Sequence, residues 1–220
     1  MTTATAADLR PIPQLAALGD EELDLLAPLF TIRAYPKNSI IVSEGEPVGA
    51  VFVVLSGRVR LFWRDRNGEE MDLTILGAGE NFGLVSLIGE TILTSNIALE
   101  PLVVAAITSN DLEQLLLRRP AVGVAFLKDA IRVIRLLIQR AKVFSMEDVY
   151  GRVVWLLPRY ATPSSDGRLI TARLTHADIA RRVGATREMV GQVLRQLARD
   201  GYLAASNGRF EILRSMPRRR

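Results

Sequence analysis

The sequence lacks cysteine altogether and contains one histidine, His176. Without cysteine, the chain cannot form disulfides, cysteine-ligated iron–sulfur clusters or zinc fingers. A single histidine cannot build a multi-histidine metal site, and a histidine-centred catalytic triad could use only this residue. A P-loop, a GxSxG motif and a metal-ligand cluster are missing as well. The sequence therefore disfavours an enzyme, although a carboxylate-only active site stays open.

Long apolar runs are also absent from the 220 residues. No run reaches the roughly 18 residues that a membrane span requires. The N-terminus MTTATAADLRPIPQL lacks the basic-then-apolar pattern of a signal peptide. We therefore expect a cytoplasmic protein that makes no membrane contact. A composition of 49% hydrophobic and 24% charged residues is ordinary for a globular chain of one large or two small domains.

Positive charge is concentrated near the C-terminus. Residues 150–220 contain 14 arginines and 5 acidic residues, a net charge of +9. Residues 1–149 contain 14 basic and 19 acidic residues, a net charge of −5, so the whole chain carries +4. A basic third behind an acidic body indicates either a surface that binds a polyanion or a solvated basic face.

The middle of the chain, from about Thr31 to Thr108, alternates short apolar runs with glycine turns. Turn signals about 8–12 residues apart predict a β-barrel or a β-sandwich. Asn67-Gly68 is the preferred two-residue turn of a hairpin. Before this region, residues 15–30 predict a short amphipathic helix with acidic residues near its start.

A long helix is predicted after Pro120, because neither proline nor any glycine beyond Gly123 occurs before about Ser145. Its apolar residues form two overlapping stripes, more than a surface helix needs. One side could cover the β-domain while the other packs on the same helix of a second subunit, or the helix is buried within its own domain. The stripes are Leu127, Ile131, Ile134, Ile138 and Ala141, and then Ala130, Val133, Leu137 and Phe144, the second being the predicted dimer contact.

The segment LTHADIARRVGATREMVGQVLRQLARDGYL predicts two short helices joined by a turn at Gly184. Thr175 and Asp178 fit a capping box, and Thr186 fits the N-cap of the second helix. In a helix-turn-helix, the N-terminal part of the second helix enters the major groove. A closing hairpin follows, with Asn207-Gly208 at its turn. The inward-facing residues of the two helices are predicted to be Ile179, Ala180, Val183, Met189, Val190, Val193, Leu194 and Leu197.

Three polar residues, Arg187, Glu188 and Gln192, lie off the apolar side of the second helix. An arginine can donate to guanine O6 and N7 together, and a glutamate can accept from cytosine N4. The alternative is that Arg187 and Glu188 form an ordinary surface ion pair.

Several segments resemble the Crp/Fnr family of bacterial transcription regulators. VGATREMVGQVLRQL is similar to its recognition helix, PKNSIIVSEGEPVGAVFVVLSGRVRL to its β-roll signature with turn glycines Gly45 and Gly57, and EDVYGRVVWLL to its Asp-Val-x-Gly-Arg hinge. The resemblance covers roughly residues 15–213, in the expected order.

This resemblance implies an α+β fold. Residues 1–119 would form a β-roll sensor domain, the jelly roll of cyclic-nucleotide-binding domains, together with an N-terminal helix. Residues 120–146 would form the dimerisation helix and residues 147–220 a winged helix-turn-helix, with the hinge at Asp148. The implied partners are double-stranded DNA and a second copy of the chain.

Carried over from the family, the base-reading arginine and glutamate fall on Arg187 and Glu188. A third reader, commonly arginine in the cyclic AMP receptor, falls on Gln192. Glutamine suits adenine or a water-mediated contact better than guanine. We therefore expect a TG-containing palindromic site that is altered or relaxed at one half-site position. Thr175 and Thr186 match phosphate-contacting positions, although both also suit helix capping alone, and Arg209 in the wing turn is a further candidate for a phosphate contact.

The expected effector pocket departs from that of the cyclic-AMP-binding relatives, which use a Gly-Glu pair for the ribose and an Arg-Ser pair for the phosphate. Here Gly83 is kept but Leu84 replaces the glutamate, and Ser95 is kept but Thr94 replaces the arginine. The phosphate therefore loses its charge-assisted partner, which disfavours cyclic AMP in the usual mode. The candidate pocket residues are Gly83, Leu84, Ser86, Thr94, Ser95 and Arg132.

The identity of the effector stays open. On the long helix, Leu137 and Ile138 replace the threonine and serine that contact adenine in the relatives. Iron–sulfur sensing needs cysteine, and the family's haem sensing uses a β-domain histidine, whereas His176 begins a helix of the DNA domain. FGLVSL is similar to the branch that senses 2-oxoglutarate, but Ser95 and Val133 stand where that branch needs arginines, with Arg132 adjacent to the latter.

Three options are left for the signal: an uncharacterised effector, a larger nucleotide such as a cyclic dinucleotide, or no ligand at all. An anion could bind several arginines if they converge; otherwise these are solvated or form ion pairs. The arginines concerned are Arg58, Arg60, Arg64, Arg132 and Arg135.

A DNA-binding regulator explains the charge asymmetry, the two-helix module, the long helix and the β-rich region together. Two recognition helices would enter successive major grooves roughly 34 Å apart. Activation would require contact with RNA polymerase, whereas repression would require only occlusion. The alternative is a nucleotide-sensing scaffold whose C-terminal helices bind protein. That scaffold would show no salt-dependent affinity for duplex DNA, whereas a regulator would lose affinity steeply as salt rises.

Overall fold

The computed structural model describes residues 1–66, 68–164 and 168–217. The chain forms two compact units, Met1–Val133 and Ile134–Arg220. The division falls inside a long helix rather than at either end of it, and the domain limits at residues 119 and 146 stay predictions. Within the described residues, no helix combines the length and the apolar character needed to cross a membrane.

The first unit contains two antiparallel sheets, as the jelly-roll prediction requires. One sheet has the strand order β1-β2-β9-β4-β7 and the other β3-β8-β5-β6. These strands are β1 (Thr2–Thr3), β2 (Phe30–Tyr35), β3 (Ile40–Val42), β4 (Ala50–Ser56), β5 (Val59–Arg64), β6 (Glu70–Leu76), β7 (Asn81–Phe82), β8 (Ser95–Ala98) and β9 (Leu102–Thr108).

Strand β4 shows how the two cores of this unit are built. Successive side chains of a strand point to opposite faces, so Val51 and Val53 join a core with the flanking helices, while Phe52 and Val54 join the core that lies with the second sheet. All four are buried, and burying a side chain of this size contributes about 1.5–3 kcal/mol relative to leaving it exposed. An apolar run buried on both faces was the pattern visible in AVFVVL.

The helices of the first unit start at identifiable caps. Thr5 caps α1 (Ala6–Leu9), a helical turn that the sequence did not predict, and Thr108 caps α3 (Ser109–Arg118). The predicted helix over residues 15–30 is shorter than expected: α2 (Asp20–Leu26) begins after Gly19. A 3₁₀ turn containing Pro28 then leads into β2, because proline cannot donate to a continuing helix.

The hairpin formed by β5 and β6 is confirmed, but its turn is longer than two residues. Arg64 and Glu70 are the last paired residues of the two strands, and the Asp65 N–H still donates to the Glu69 carbonyl at 2.9 Å. Asn67, half of the predicted turn, lies outside the described residues.

The predicted long helix is present as α4 (Pro120–Met146), which has 27 residues. Val122 and Phe126 are its buried residues and pack into the core of the first unit. One side of α4 does pack on the β-domain, but it is the side of the second stripe, because at about 3.6 residues per turn Val122 and Phe126 lie in line with Ala130. Leu127 and Ile131 of the first stripe lie on the opposite side of the helix and are 58% and 47% exposed.

The second unit packs three further helices against a small antiparallel sheet. The helices are α5 (Val149–Leu156), α6 (His176–Val183) and α7 (Arg187–Arg199), and the sheet order is β10-β11-β13-β12. Its core contains the inward-facing residues of the helices together with Leu203 and Phe210. The strands are β10 (Ala161–Pro163), β11 (Leu169–Thr171), β12 (Leu203–Ser206) and β13 (Arg209–Ile212).

Candidate DNA-binding surface and effector pocket

Helix α6 begins with the predicted capping box. The Thr175 Oγ1 accepts a hydrogen bond from the Asp178 N–H at 3.0 Å, and the Asp178 carboxylate accepts one from the Thr175 N–H at 2.9 Å. Burial alone would raise the pKa of Asp178, but hydrogen bonds from Thr175 and the charges of Arg181 and Arg182 outweigh it and hold the pKa below its usual value. The cap therefore stays charged at neutral pH and weakens only on acidification.

Gly184 forms the turn between the two helices, as predicted. Its backbone lies in the left-handed region, with φ 60° and ψ 56°, where a side chain is disfavoured. The Gly184 N–H donates to the Ala180 carbonyl, which closes α6. Two residues later, the Thr186 Oγ1 accepts from the Met189 N–H at 3.3 Å and starts α7. The predicted caps Thr175 and Thr186 are both confirmed as caps, which leaves their phosphate contacts as predictions.

The first turns of α7 present the three predicted base-reading residues to solvent. Arg187, Glu188 and Gln192 are all exposed, whereas Val190, Val193, Leu194 and Leu197 are buried. Met189 was predicted to be buried, but it is 43% exposed. Val190 in the same turn is fully buried, so Met189 is exposed because it lies at the edge of the buried face of the helix.

Arg187 makes no ion pair with any residue in the described part of the chain. The pKa of the Glu188 carboxyl lies below its usual value, because its own backbone N–H, then the Thr186 hydroxyl and the Arg187 charge stabilise the ionised form. The guanidinium is therefore free to donate, and the carboxylate is charged and able to accept. This arrangement is suited to contacts with base edges in the major groove.

The wing is the hairpin of β12 and β13. Asn207 and Gly208 have φ of 50° and 74°, and Ser206 pairs with Arg209, so the predicted Asn-Gly turn is confirmed. The Leu174 N–H donates to the Gly208 carbonyl at 2.8 Å. This bond holds the wing turn beside the start of α6, and Arg209 is exposed at the edge of that turn.

Asp148 lies at the joint between α4 and α5. Its carboxylate accepts from the Gly151 N–H at 3.0 Å and caps α5. Its role as a hinge stays a prediction. Arg152, which directly follows Gly151, was not among the predicted site residues, and it donates to carbonyls of α4 and α6. Its place in the Asp-Val-x-Gly-Arg segment was the signal that could have identified it.

The candidate effector pocket begins with a tight turn. Gly83 has φ 88°, and a Cβ added to it would lie 2.8 Å from the Ala50 carbonyl oxygen. Leu84 follows in a 3₁₀ turn. Within that turn the buried Ser86 hydroxyl donates to the Gly83 carbonyl at 2.7 Å and accepts from the Ser109 hydroxyl at 2.9 Å. Ser86 therefore supports the turn with its own hydroxyl.

The polar side chains at the start of β8 also have partners within the protein. The Thr94 hydroxyl donates to the amide oxygen of Asn96 at 2.9 Å, and both residues are buried. The Ser95 Oγ accepts from the Glu44 N–H at 3.1 Å. Neither residue carries a positive charge that could neutralise a phosphate.

Four of the five arginines proposed as a converging anion site form ion pairs instead. Burial alone would raise the pKa of Glu70, but hydrogen bonds from Arg60 and Arg64 lower it below its usual value. The structure therefore favours the ion-pair alternative. The pairs are Arg58 with Glu100 at 3.0 Å, Arg60 with Asp72 at 2.5 Å, Arg64 with Glu70 at 2.9 Å, and Arg132 with Asp129.

Comparison with known proteins matches both units. Residues 32–119 match the cyclic nucleotide-binding domain, and residues 132–215 match the Crp-like helix-turn-helix domain. The cyclic AMP receptor protein of Thermus thermophilus is 31% identical over 201 residues, which cover 91% of this chain and 92% of that protein. The chain belongs to the Crp/Fnr family.

Other relatives agree with this assignment. A CRP-like cAMP-activated global transcriptional regulator of Mycobacterium tuberculosis is 29% identical over 174 residues, covering 77% of this chain and 78% of that protein. The c-di-GMP-responsive global regulator CLP of Xanthomonas campestris superposes with a TM-score of 0.74 at 25% identity, over 84% of this chain and 94% of that one. The Crp/Fnr protein described here is thus a DNA-binding transcription regulator and not an enzyme.

The Crp/Fnr fold places the predicted site residues in two separate groups. Arg187, Glu188 and Gln192 share the exposed start of α7. Among the pocket candidates, Gly83, Leu84 and Ser86 share one turn and Thr94 and Ser95 adjoin β8, while Arg132 is on α4 and pairs with Asp129. No group of three or more metal-ligating side chains occurs among residues 1–66, 68–164 and 168–217.

Proposed function

We propose that this Crp/Fnr regulator binds a palindromic DNA site as a homodimer, and that cyclic AMP does not control it in the family's usual mode. The observation that carries the proposal is the exposed set of Arg187, Glu188 and Gln192 on the first turns of α7. Thr186 caps the start of α7, and the Thr175–Asp178 capping box fixes the start of α6. The three base-reading side chains therefore project from a rigid support.

The chemistry of these three residues supports a TG-containing half-site. Arg187 would donate to guanine O6 and N7, and Glu188 would accept from the cytosine amino group. Gln192, one turn further along the same exposed side, would contact adenine directly or through water. Thr175, Thr186 and Arg209 would contact phosphates and set the register of the protein on the duplex.

Replacing Arg187 by alanine tests the base-reading role. Selection from randomised duplexes first identifies the operator of the wild-type protein. On that operator, R187A is expected to bind about 5- to 150-fold more weakly, equivalent to roughly 1–3 kcal/mol, and to lose discrimination at one base pair. Fluorescence anisotropy at a stated salt concentration measures both affinities.

The matched control for this test is Arg199→Ala, which removes one exposed positive charge from the other end of α7. R199A is expected to keep the wild-type base preference. Equal losses for R187A on the operator and on random duplex would contradict base reading. An affinity that does not fall with rising salt would instead favour the scaffold that binds protein.

The dimer is supported by the apolar residues that α4 leaves exposed. They recur at alternating intervals of three and four residues, the spacing of a two-helix seam. Both predicted stripes offer exposed residues: Val133 and Leu137 of the second are 46% and 38% exposed, while Ala130 and Phe144 are half-buried. The regularly spaced residues are Val124, Leu127, Ile131, Ile134 and Ile138.

Cyclic AMP is expected to leave operator affinity unchanged. Leu84 and Thr94 cannot supply the carboxylate and guanidinium that the family uses, and the Ser95 hydroxyl already accepts from the Glu44 N–H. Anisotropy titrations with cyclic AMP, cyclic GMP, cyclic di-GMP and 2-oxoglutarate measure the coupling. Ordinary allosteric coupling changes affinity about 5- to 150-fold, so a change of that size with cyclic AMP would contradict the proposal.

A response to cyclic di-GMP alone would favour the second candidate, a regulator controlled by a cyclic dinucleotide. The likeness to the c-di-GMP-responsive regulator of Xanthomonas campestris supports that candidate. No response to any of the four would favour a dimer that binds DNA without an effector. Contact with RNA polymerase would make the dimer an activator, and occlusion alone would make it a repressor.

A further inference from the structure

We propose that Arg152 is a positioning residue that fixes the recognition helix to the end of the long helix and thereby sets the half-site spacing of the operator. The proposal rests on the proposed function, because spacing has meaning only for a dimer on a two-part site. It concerns α4, α5 and α6 within the second unit.

The guanidinium of Arg152 bridges three backbone segments. Its Nη2 donates to the Phe144 carbonyl at 3.0 Å, its Nε to the Glu147 carbonyl at 3.1 Å, and its Nη1 to the Val183 carbonyl at 3.3 Å. The first carbonyl belongs to the last turn of α4, the second to the joint before α5, and the third to the last residue of α6. One side chain on α5 therefore connects the helices on both sides of Asp148.

A second arginine reinforces the same connection from α4. The Arg140 Nη2 donates to the Arg182 carbonyl at 3.3 Å. The guanidinium carbons of Arg140 and Arg152 lie 5.6 Å and 4.7 Å from the centre of the Phe144 ring, so both cations contact the same aromatic side chain. We call Arg140, Phe144, Arg152 and the carbonyls of Arg182 and Val183 the carbonyl latch.

The carbonyl latch uses backbone carbonyls at the C-terminal end of α6. The last carbonyls of α6 have no partners within the helix and carry its negative dipole end, which favours a cation. A guanidinium has five donors in a rigid plane, so it can serve three carbonyls at fixed angles; a lysine ammonium has the charge without that geometry. The need for arginine here is therefore geometric as well as electrostatic.

The pose of the recognition helix follows from this contact. Helix α7 begins at Arg187, and Val183 is the last residue of α6, so only the Gly184 turn and the Thr186 cap separate the latch from the base-reading residues. In a dimer that pairs through α4, the carbonyl latch would hold each α7 at a fixed position relative to α4. Two fixed helices would accept one spacing of half-sites, roughly one helical turn of DNA apart.

Duplexes that carry the selected half-sites at the native spacing, and at spacings one base pair longer or shorter, test the proposal. Wild-type protein is expected to prefer the native spacing by about 5- to 150-fold, a loss comparable to that of one mismatched base pair in the site. Arg152→Ala and Arg152→Lys are expected to bring this preference close to one, since recognition helices that are no longer fixed adapt to either spacing. The R152K variant retains the positive charge but lacks the planar guanidinium, so it separates the effect of geometry from that of charge.

Arg159→Ala is the matched control. Its guanidinium stacks 3.8 Å from the centre of the Trp155 ring and donates to the Trp155 carbonyl at 2.6 Å, one turn earlier in the chain. These contacts are local and reach neither α4 nor α6, so R159A is expected to retain the wild-type spacing preference. A preference that stays unchanged in both R152A and R152K would overturn the proposal.

A DNA-independent measurement separates this inference from the proposed function. The chain has no native cysteine, so spin labels at Gln139→Cys and Gln196→Cys, in protein diluted with an excess of unlabelled chain, report the distance between α4 and α7 within one subunit. The latch predicts a narrow distance distribution that R152K broadens and R159A leaves narrow. If the wild-type protein selects no palindrome, the proposed function fails while this measurement still tests the latch. An equally narrow distribution in folded R152K would refute it.

Discussion

Ile138→Glu is expected to convert the dimer into monomers and to lower operator affinity by about 10²- to 10⁴-fold, the loss that follows when two linked sites no longer bind together. Ile138 lies in the regularly spaced apolar row of α4 and is 52% exposed in the single chain. A glutamate from each subunit would meet in the seam, where unpaired burial of charge is unfavourable. Sedimentation velocity measures the association state, and anisotropy measures the affinity.

Gln139→Glu adds the same charge at the neighbouring exposed position, off the apolar row. The control is expected to sediment as a dimer and to bind the operator with nearly wild-type affinity. A dimeric I138E protein would show that this row is not the subunit contact, and would direct attention to Val133 and Leu137 in the second stripe.

The other large effect is expected in the β-domain, where Arg60→Ala should lower the free energy of unfolding by about 3–5 kcal/mol. The Arg60 side chain is 11% exposed and the Asp72 side chain 2%, and their Nε–Oδ1 distance is 2.5 Å. Arg60 also contacts Glu70 at 2.7 Å. Removing the arginine leaves a buried carboxylate without this compensating charge, which costs far more than the pair itself contributes.

Urea unfolding monitored by Trp63 on β5, in a Trp155→Phe background, measures this change. Arg58→Ala, which breaks the exposed pair with Glu100, is the control and should have a much smaller effect because water screens exposed charges. The double variant Arg60→Met with Asp72→Leu should recover most of the lost stability, because it removes both buried charges. If the single and double variants were equally unstable, packing rather than charge would explain the loss.

The DNA-binding module was predictable because its determinants are local. A capping box spans four residues, Gly184 needs only its own backbone angles, and the wing turn needs only Asn207 and Gly208. The long helix was likewise predictable from the absence of proline and glycine. Each signal acts within one turn or one hairpin, so no tertiary information was needed to recognise it.

The predictions that differ from the structure concern local patterns that could pack against several different parts of the chain. Both stripes of α4 are apolar, and neither the helical period nor the composition reveals which side packs on the β-domain through Val122 and Phe126. Met189 fits the helical period of the core, yet lies at the edge of the buried face and is exposed. Arginines that bind an anion and arginines that pair with carboxylates of other strands have the same pattern in the sequence, so the sequence cannot distinguish them.

The amino-acid sequence by itself determined the order of the elements, their caps and turns, the concentration of positive charge near the C-terminus, and the exposed Arg-Glu-Gln set. Tertiary structure alone decided which charges are neutralised and which helix ends are held. The partners of the two arginines at the helix end are distant in the chain: Arg152 contacts the carbonyl of a residue 31 positions away and Arg140 one 42 positions away. Backbone carbonyls have no sequence identity, so a contact to them leaves no pattern in the residues. Only the packing of α4, α5 and α6 brings those oxygens within reach of the two arginines.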